Sequence, residues 1–527
     1  MEVDYLKIGK ASDLRDQERI IYRCLEILPG FLSWTTLLGL IILSYFYPVF
    51  VAFFIIAFDV YWLLLVAYLG IHLIVAYRKM KKNISRDWRQ ACEDLKRFLE
   101  KREVDPNIGP LKYIYSWKDI IHLIILPTYN EGLEIVRTTV EAIAKCGYPT
   151  KNMIVVLATE GRAGEAAQKR AQKIEQEFGD YFRHFLVTVH PDNIEGEIKG
   201  KGSNQTWAAR QVKEKIIDAQ GYDYNKILVS VFDIDTVVEE GFFYCLTHKF
   251  LSVKYPYRAS FQPIPIYNNN IWQAPFFSRI AASSNTFWQM MQQIRQEKLA
   301  TYSSHSMTWR ALVDIGFWST KMVSEDSRIF WHCLLYYYGD YRVEPLYFPV
   351  SMDICMDRGW WQTAKNLYKQ QRRWGWGVEN VPYLIFNIYK RWDRLPKRQM
   401  VNKILVQLYG FHSWATNALI IAVVGWMPLL LGGERFNSTV LSGNLPFITR
   451  TLMTLAMSGL VLSAIVATVL LPANPRQNFV RRFIIMPLQW LILPLSIIVF
   501  GAIPSLEAQT RLMLGKYLGF WVTPKNR

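Results

Sequence analysis

The fold of this chain is decided by residues 226–236, which read K-I-L-V-S-V-F-D-I-D-T. β-Branched and aromatic residues fill this stretch up to Phe232, as is typical of a buried β-strand. Asp233 and Asp235 are two residues apart, so on an extended backbone their side chains point to one face. Two carboxylates at the carboxyl end of a sheet strand suit a hard divalent cation. A polar turn after a strand explains the same residues equally well. This stretch alone therefore does not distinguish a cation site from an ordinary turn.

The composition indicates a membrane protein. The chain has 527 residues, 51% of them apolar, and a net charge of +17. Its basic residues cluster beside apolar runs, as the cytoplasmic flanks of membrane segments do, which favours membrane lipids over nucleic acid as partners. The six cysteines are scattered without a C-x-x-C pair. We therefore expect neither a zinc site nor a disulfide framework.

The amino-terminal part predicts membrane attachment. Residues 1–30 alternate apolar and arginine positions at helical spacing, which predicts a cytoplasmic, amphipathic arm on the membrane; a packed soluble helix fits nearly as well. Residues 31–77 are almost wholly apolar and broken at Tyr47, so they predict a transmembrane helical hairpin. The basic run at 78–86 places that end in the cytoplasm. Asp59 lies inside the second crossing, with no evident partner.

The middle of the chain predicts an α/β domain. Residues 78–114 read as a polar helical linker that ends in the turn V-D-P-N-I-G-P. Strand-like and helical segments then alternate, which predicts a parallel, helix-covered sheet over residues 115–380. The predicted strands are 120–126, 153–158, 184–190 and 226–232, and the predicted helices are 133–145, 164–178 and 204–218.

Two loops of this domain carry candidate binding residues. The first strand ends in P-T-Y-N-E-G, which puts Tyr129 and Glu131 at the ligand-binding edge of the sheet. The second loop, K-G-K-G-S-N-Q at 199–205, combines lysines with glycines and could hold an anionic group at a helix start. Its spacing is not that of a phosphate-binding P-loop. An ordinary loop and a flexible basic turn are the alternatives.

Residues 324–326, Ser-Glu-Asp, precede an apolar helical run. Ser324 can cap that helix, and acidic residues in a first turn are favoured by the helix dipole, so the triplet has a purely structural explanation. The functional interpretation makes one of the two carboxylates a general base at the mouth of the site.

Gln370, Arg373 and Trp374 share one face of a helix because they are spaced i, i+3 and i+4. Arginine offers a planar fork for phosphate oxygens, and tryptophan offers a flat apolar platform. A membrane-surface helix with basic and aromatic anchors explains the same residues.

Five motifs occur in one order between residues 120 and 376: P-T-Y-N-E, K-G-S-N, F-D-I-D, S-E-D and Q-Q-R-R-W. This ordered set resembles the processive-type family 2 glycosyltransferases, which include cellulose, chitin and hyaluronan synthases. The final W-V-T-P-K is similar to the F-x-V-T-x-K loop of bacterial cellulose synthases. The resemblance implies a GT-A (Rossmann-like) α/β domain inserted between transmembrane helices. It implies that this domain lies on the cytoplasmic side of the plasma (inner) membrane and uses a nucleotide-diphosphate sugar.

The resemblance also implies roles for single residues. Asp233 and Asp235 would hold Mg²⁺ or Mn²⁺ and the diphosphate, and Asp326 would be the catalytic base. Arg373 would grip the diphosphate, and Trp374 would lie beneath the acceptor sugar. The motifs place further residues at the substrate: Tyr129, Glu131, Glu160, Lys201, Asn204, Glu325 and Gln370.

One motif departs from the family. After the second strand the family usually has Asp-Asp, whereas this chain has A-T-E-G-R, with Glu160 as the replacement. Recognition of the base therefore stays open: a UDP-sugar is favoured, and a GDP-sugar is the alternative. The implied activity is inverting elongation of a β-linked polysaccharide on a growing glycan. Transfer of one sugar to a lipid acceptor is the second hypothesis, and a catalytically silent membrane secretion subunit is the third.

The last third predicts a second membrane region. Residues 381–402 are basic and aromatic, which predicts an interfacial helix, and residues 403–506 contain three long apolar runs. Three crossings would leave the basic tail, residues 507–527, outside the cell. The basic charge and the resemblance both favour the inside. Three prolines in the last run, at 487, 494 and 504, permit a re-entrant helix, which resolves the conflict.

Overall fold

The computed structural model describes residues 4–100, 116–472 and 479–523, with the side chains of 96–100 and 481 left out. The predicted turn at 104–110 lies outside these residues. The last two residues of W-V-T-P-K, Pro524 and Lys525, also lie outside them.

Two long helices form the amino-terminal part. Helices α1 (Asp16–Phe46) and α2 (Pro48–Ile84) meet at Tyr47, and Pro48 suits the first position of α2 because its missing N–H is not needed there. Helix α1 is continuous through Pro29, so the predicted boundary between the arm and the hairpin falls inside one helix. Helix α3 (Trp88–Glu100) follows.

Among the residues that the structure describes, the strands form one eight-stranded central sheet with the order β3-β2-β1-β4-β7-β6-β8-β5. Strands β1 to β4 are parallel, and β7 runs antiparallel to both of its neighbours. The strands are β1 (Ile121–Pro127), β2 (Met153–Glu160), β3 (His184–His190), β4 (Ile227–Val231), β5 (Val237–Val238), β6 (Ala259–Tyr267), β7 (Ser306–Thr308) and β8 (Arg342–Met352). The predicted α/β domain between apolar helices is thereby confirmed in outline. Strands β5 to β8 were not predicted.

The predicted extended backbone at Asp233 and Asp235 is wrong. Strand β4 ends at Val231, and the backbone N–H of Thr236 donates to the carbonyl oxygen of Asp233 at 2.8 Å. The two aspartates therefore lie in a turn. Their common location follows from that turn and not from the two-residue period of a strand.

Within the described part of the chain, nine helices cover or border the sheet: α4 (Leu133–Ala144), α5 (Glu165–Phe178), α6 (Lys201–Val212), α7 (Phe242–Ser252), α8 (Phe276–Ile294), α9 (Trp309–Asp314), α10 (Glu325–Tyr336), α11 (Trp360–Gly375) and α12 (Asn380–Lys390). Successive residues of β1 alternate between two apolar cores, with Ile124 in one and Leu123 and Ile125 in the other. This alternation is the period of a strand buried on both faces. We call the strands together with α4–α12 the sheet domain.

The carboxyl-terminal helices are α13 (Lys397–Ala422), α14 (Met427–Leu431), α15 (Gly433–Asn437), α16 (Val440–Ala456), α17 (Ser458–Val469), α18 (Met486–Leu488), α19 (Leu493–Ile497) and α20 (Ile503–Met513). Among the described residues, four helical stretches are long and apolar enough to cross a membrane: α1, α2, Val440–Val469 and Arg482–Met513. A fifth is formed if α13 and Val424–Leu431, which are bent by 42°, count as one span.

The last apolar run, Arg482–Met513, contacts the sheet domain at its start, middle and end. Near its start Trp490 stacks on Phe287 at 5.6 Å between ring centroids. In its middle Phe500 stacks on Phe277, also at 5.6 Å. Near its end Leu512 packs in a cluster with Trp376. A straight crossing would place the two ends of the run about 30 Å apart, on opposite sides of the membrane. Both ends of this run instead lie against the sheet domain.

Candidate active site

The candidate site lies where the parallel strands end. Strand order reverses between β1 and β4, because β2 and β3 extend from one side of β1 and β4 from the other. Open α/β sheets bind ligands in the crevice at the carboxyl ends of such strands. Tyr129 and Asp233 follow β1 and β4 at this edge, and Glu160 is the last residue of β2.

Lys201 connects two acidic segments of the site. Helix α6 begins at Lys201, whose Nζ lies 2.7 Å from Asp233 Oδ1 and 2.7 Å from Asp326 Oδ2. Its side chain is 11% exposed, against 25% for Asp233 and 21% for Asp326. Burial alone would lower the pKa of Lys201, but the charges of Asp233 and Asp326 raise it above its ordinary value. The lysine is therefore a charged bridge between the β4 turn and helix α10.

The acids that begin α10 differ in environment. Glu325 is buried beside Asp326, and burial raises the pKa of Glu325 to about 8. Asp326 is partly exposed, and its Oδ1 has no hydrogen-bond partner within the described part of the chain. The hydroxyl of Ser324 donates to Glu379 and does not cap the helix, so the predicted cap is wrong. Oδ1 is itself buried, so the exposed fraction of Asp326 belongs to the rest of its side chain.

His305 also belongs to this site, although no sequence motif indicates it. Its ring is buried, with Nδ1 3.8 Å from Asp326 Oδ1 and 2.9 Å from the carbonyl oxygen of Tyr302. The indole N–H of Trp318 donates to Nε2 at 3.3 Å. Burial lowers the pKa of His305, so a neutral ring with its proton on Nδ1 satisfies both contacts.

Asp235 lies deeper than Asp233. One of its carboxylate oxygens accepts the backbone N–H of Asp353 at 3.1 Å. The side-chain amide of Asn269 donates to the carbonyl oxygen of Asp235 and to the carboxylate of Asp353, each at 2.9 Å. Asn269 and Asp353 were not predicted either. Together they fix the turn that presents Asp233.

The residues present fit a divalent cation held jointly with a substrate. Carboxylate oxygens are the ligands that Mg²⁺ and Mn²⁺ prefer. Across the described residues there is no group of three or more His, Cys, Asp and Glu side chains that could hold a metal ion. Asp233 and Asp235 would therefore need oxygens from a bound diphosphate, which is how magnesium is usually held in phosphate-transfer sites.

A second pair lies on the β1–β2 side of the crevice. Glu160 forms an ion pair with Arg162, and the Arg162 guanidinium carbon lies 4.6 Å from the centre of the Tyr129 ring. Glu131 accepts the backbone N–H of Tyr129 at 2.7 Å and so shapes the loop. Asn204 is buried, and its amide donates to the carbonyl oxygen of Ala158. Arg162 is the residue that the sequence analysis overlooked here.

Helix α11 brings its predicted face to the same site. Trp374 lies 6.2 Å from the ring of Tyr267, and Gln370 and Arg373 are half-buried beside it. Burial, together with the nearby charges of Asp233 and Asp235, raises the pKa of Tyr267. Tyr267 therefore lies between the acidic turn and the α11 face.

The C-terminal segment, residues 514–523, closes over this region. The Phe520 ring lies 5.0 Å from the Arg373 guanidinium, and Lys369 lies 5.4 Å from the Trp521 ring. Gly200 has φ +152°, and a Cβ there would overlap the Phe520 ring. Phe520, the residue before W-V-T-P-K, is thus beside the K-G-K-G loop.

No family model matches the chain, and no curated protein matches its sequence. Solved structures of similar shape include the mannosyltransferase PcManGT from Pyrobaculum calidifontis in complex with GDP-Man and Mn²⁺. It is 13% identical, the match covers 78% of this chain and 98% of that one, and the TM-score is 0.39. S. aureus TarS is 11% identical, with 64% and 54% coverage and a TM-score of 0.29. The function is therefore inferred from the geometry of the site.

Proposed function

We propose that the chain is an inverting glycosyltransferase with a GT-A-like domain that transfers a sugar from a nucleotide-diphosphate donor. The observation that carries this proposal is the Lys201 bridge, which joins a metal-type carboxylate, Asp233, to a base-type carboxylate, Asp326. A transfer reaction needs the two groups side by side, because Asp233 serves the donor phosphates and Asp326 serves the acceptor hydroxyl. Burying a lysine between two carboxylates costs free energy. A catalytically silent subunit would not require this arrangement.

Asp326 acts as the general base. Its carboxylate accepts the proton of the acceptor hydroxyl while the oxygen of that hydroxyl attacks the anomeric carbon. The bond to the diphosphate breaks on the opposite side, so an α-linked donor gives a β-linkage. Arg373 and Lys201 stabilise the charge that develops on the leaving diphosphate. Mg²⁺ or Mn²⁺ bound by Asp233 and Asp235 would neutralise the same charge.

The acceptor is a growing β-linked polysaccharide. The α11 face supports this, because Trp374 and Tyr267 together offer an apolar surface beside the acids, and sugar rings pack on such surfaces. Gln370 and Arg373 contact the diphosphate from the same helix. Phe520 and Trp521 of the C-terminal segment cover the donor while it reacts, and a closed segment excludes water from the site.

The sheet domain and both termini lie in the cytoplasm, at the plasma (inner) membrane. Four crossings, made by α1, α2, the bent pair α13–α14 and α16–α17, leave both ends of the chain on one side. The contacts of Trp490 and Leu512 with the sheet domain support a last apolar run that folds back. Protease added to sealed inverted vesicles should cut the tail, and cutting from the outer face alone would contradict this arrangement.

Purified protein in lipid, supplied with labelled UDP- and GDP-sugars and Mg²⁺ or Mn²⁺, tests the activity. We expect a UDP-sugar to give a ladder of products that a β-specific glycosidase degrades. Asp233→Ala should abolish metal-dependent transfer and leave membrane insertion intact. Asp218→Ala, at an exposed site six residues beyond the end of α6, should leave transfer unchanged. A glycolipid with a single added sugar would show that the acceptor is a lipid and not a polysaccharide. Absence of transfer from every donor would refute the proposal that the chain is an enzyme.

A further inference from the structure

Asp59 is a carboxylate buried in the membrane region. It lies in α2 about 16 Å along the helix from Pro48, which is about half of the ~30 Å hydrocarbon thickness. The residue is 1% exposed, and its Oδ2 has no hydrogen-bond partner among the residues described. An ionised carboxylate in such a place is costly unless a positive charge or several donors compensate it.

A small cavity adjoins this carboxylate. It is lined by Asp59, Thr449, Gly425, Trp426 and Pro446 together with four aliphatic residues, none of them basic. It has about 10 Å³ of room for the centre of a water-sized sphere. That is enough for one water molecule or one ion of similar size.

Other oxygen atoms lie in the lining of the same cavity or next to it. The Thr449 hydroxyl is buried and faces the Asp59 carboxylate across the cavity. Helix α13 ends at Ala422 and the chain bends before α14, and there the carbonyl oxygen of Ile420 lies 3.5 Å from where a Cβ of Gly425 would be. Broken membrane helices expose backbone carbonyls of this kind, and transport proteins use them to bind small cations.

We propose that Asp59, Thr449 and the bend at Gly425 bind one monovalent cation of the size of sodium. A single carboxylate balances a single charge, and oxygen atoms are the ligands that hard cations take. The narrow cavity has no room for the water shell that Mg²⁺ keeps. The ion would join α2 to the α13–α14 bend and to α16, and so connect the two membrane regions of the chain.

The test is the melting temperature, Tm, of the purified full-length protein in detergent, in sodium chloride and in choline chloride at equal ionic strength. We expect sodium to raise Tm by about 2 °C or more, because a ligand that binds only the folded state stabilises it. Asp59→Asn should remove the sodium response. Thr449→Val should weaken it, and binding of radioactive ²²Na⁺ should fall in the same order.

The matched control is Thr451→Val. Thr451 is on the same helix, is exposed, and donates to the carbonyl oxygen of Phe447. The rise of Tm with sodium in the Thr451→Val variant should equal that of the wild type. A sodium response that persists in both Asp59→Asn and Thr449→Val overturns the proposal. So does a Tm that depends on pH but not on sodium, because a proton then neutralises Asp59.

Discussion

Two charged clusters lie at the same edge of the sheet and are built differently. The bridge cluster joins Lys201 to Asp233 and Asp326, which come from three separate segments of the chain. The local pair joins Glu160 to Arg162, two residues apart. Loss of Lys201 leaves two carboxylates from distant segments facing each other, whereas loss of Arg162 leaves one. We therefore expect the bridge cluster to govern catalysis and folding together, and the local pair to affect only donor binding.

The strongest test of the bridge cluster is Asp326→Asn. An amide keeps the shape but cannot accept the acceptor proton, so kcat should fall about a thousandfold while the donor KM stays within about threefold. Initial rates at saturating donor measure this. Asp314→Asn is a control, since Asp314 pairs with Arg310 on α9 away from the site. Full activity in Asp326→Asn would exclude Asp326 as the base.

Lys201→Met should affect both stability and activity. Removing one partner of a buried ion pair costs about 3–5 kcal/mol, because the remaining charges are left uncompensated. We expect a Tm several degrees lower and a loss of kcat of about a hundredfold. Lys199→Met serves as the control, because Lys199 pairs with Asp192 at an exposed site in the same loop. An unchanged Tm in Lys201→Met would remove the distinction between the two clusters.

Arg162→Gln tests the local pair. Its guanidinium lies on the Tyr129 ring, where a nucleotide base could also stack. We expect the donor KM to change about tenfold, with kcat and Tm nearly unchanged, and the preference between UDP and GDP donors to shift. Arg170→Gln changes a half-buried arginine of α5 that bonds Asn130 at the surface, and it should leave all of these unchanged. A collapse of kcat in Arg162→Gln would mean that the local pair is also catalytic.

The difference between the clusters also separates what the sequence could predict from what it could not. The four parallel strands are continuous apolar runs, and the motif residues stand directly at their ends, so local patterns sufficed. Strands β5 and β7 have two and three residues, too few for a periodic pattern, and their pairing depends on distant partners. His305, Asn269 and Asp353 reach the site only through that pairing. The backbone turn at Asp233 was missed because a strand pattern does not mark where pairing stops.

The last prediction concerns Glu325, which lies beneath the bridge cluster and is buried. Burial raises its pKa to about 8, so the folded state holds a proton that the unfolded state releases near pH 4.5. The stability from this proton is complete below pH 4.5 and is lost as pH rises through 8. Glu325→Gln should therefore raise Tm by a few degrees relative to the wild type at pH 9 and change it little at pH 5. Tm of both proteins measured from pH 5 to pH 9 tests this expectation, and Glu165→Gln at an exposed position is the control. An equal difference at both pH values would mean that Glu325 is ionised at pH 5 and that Lys201 compensates three carboxylates.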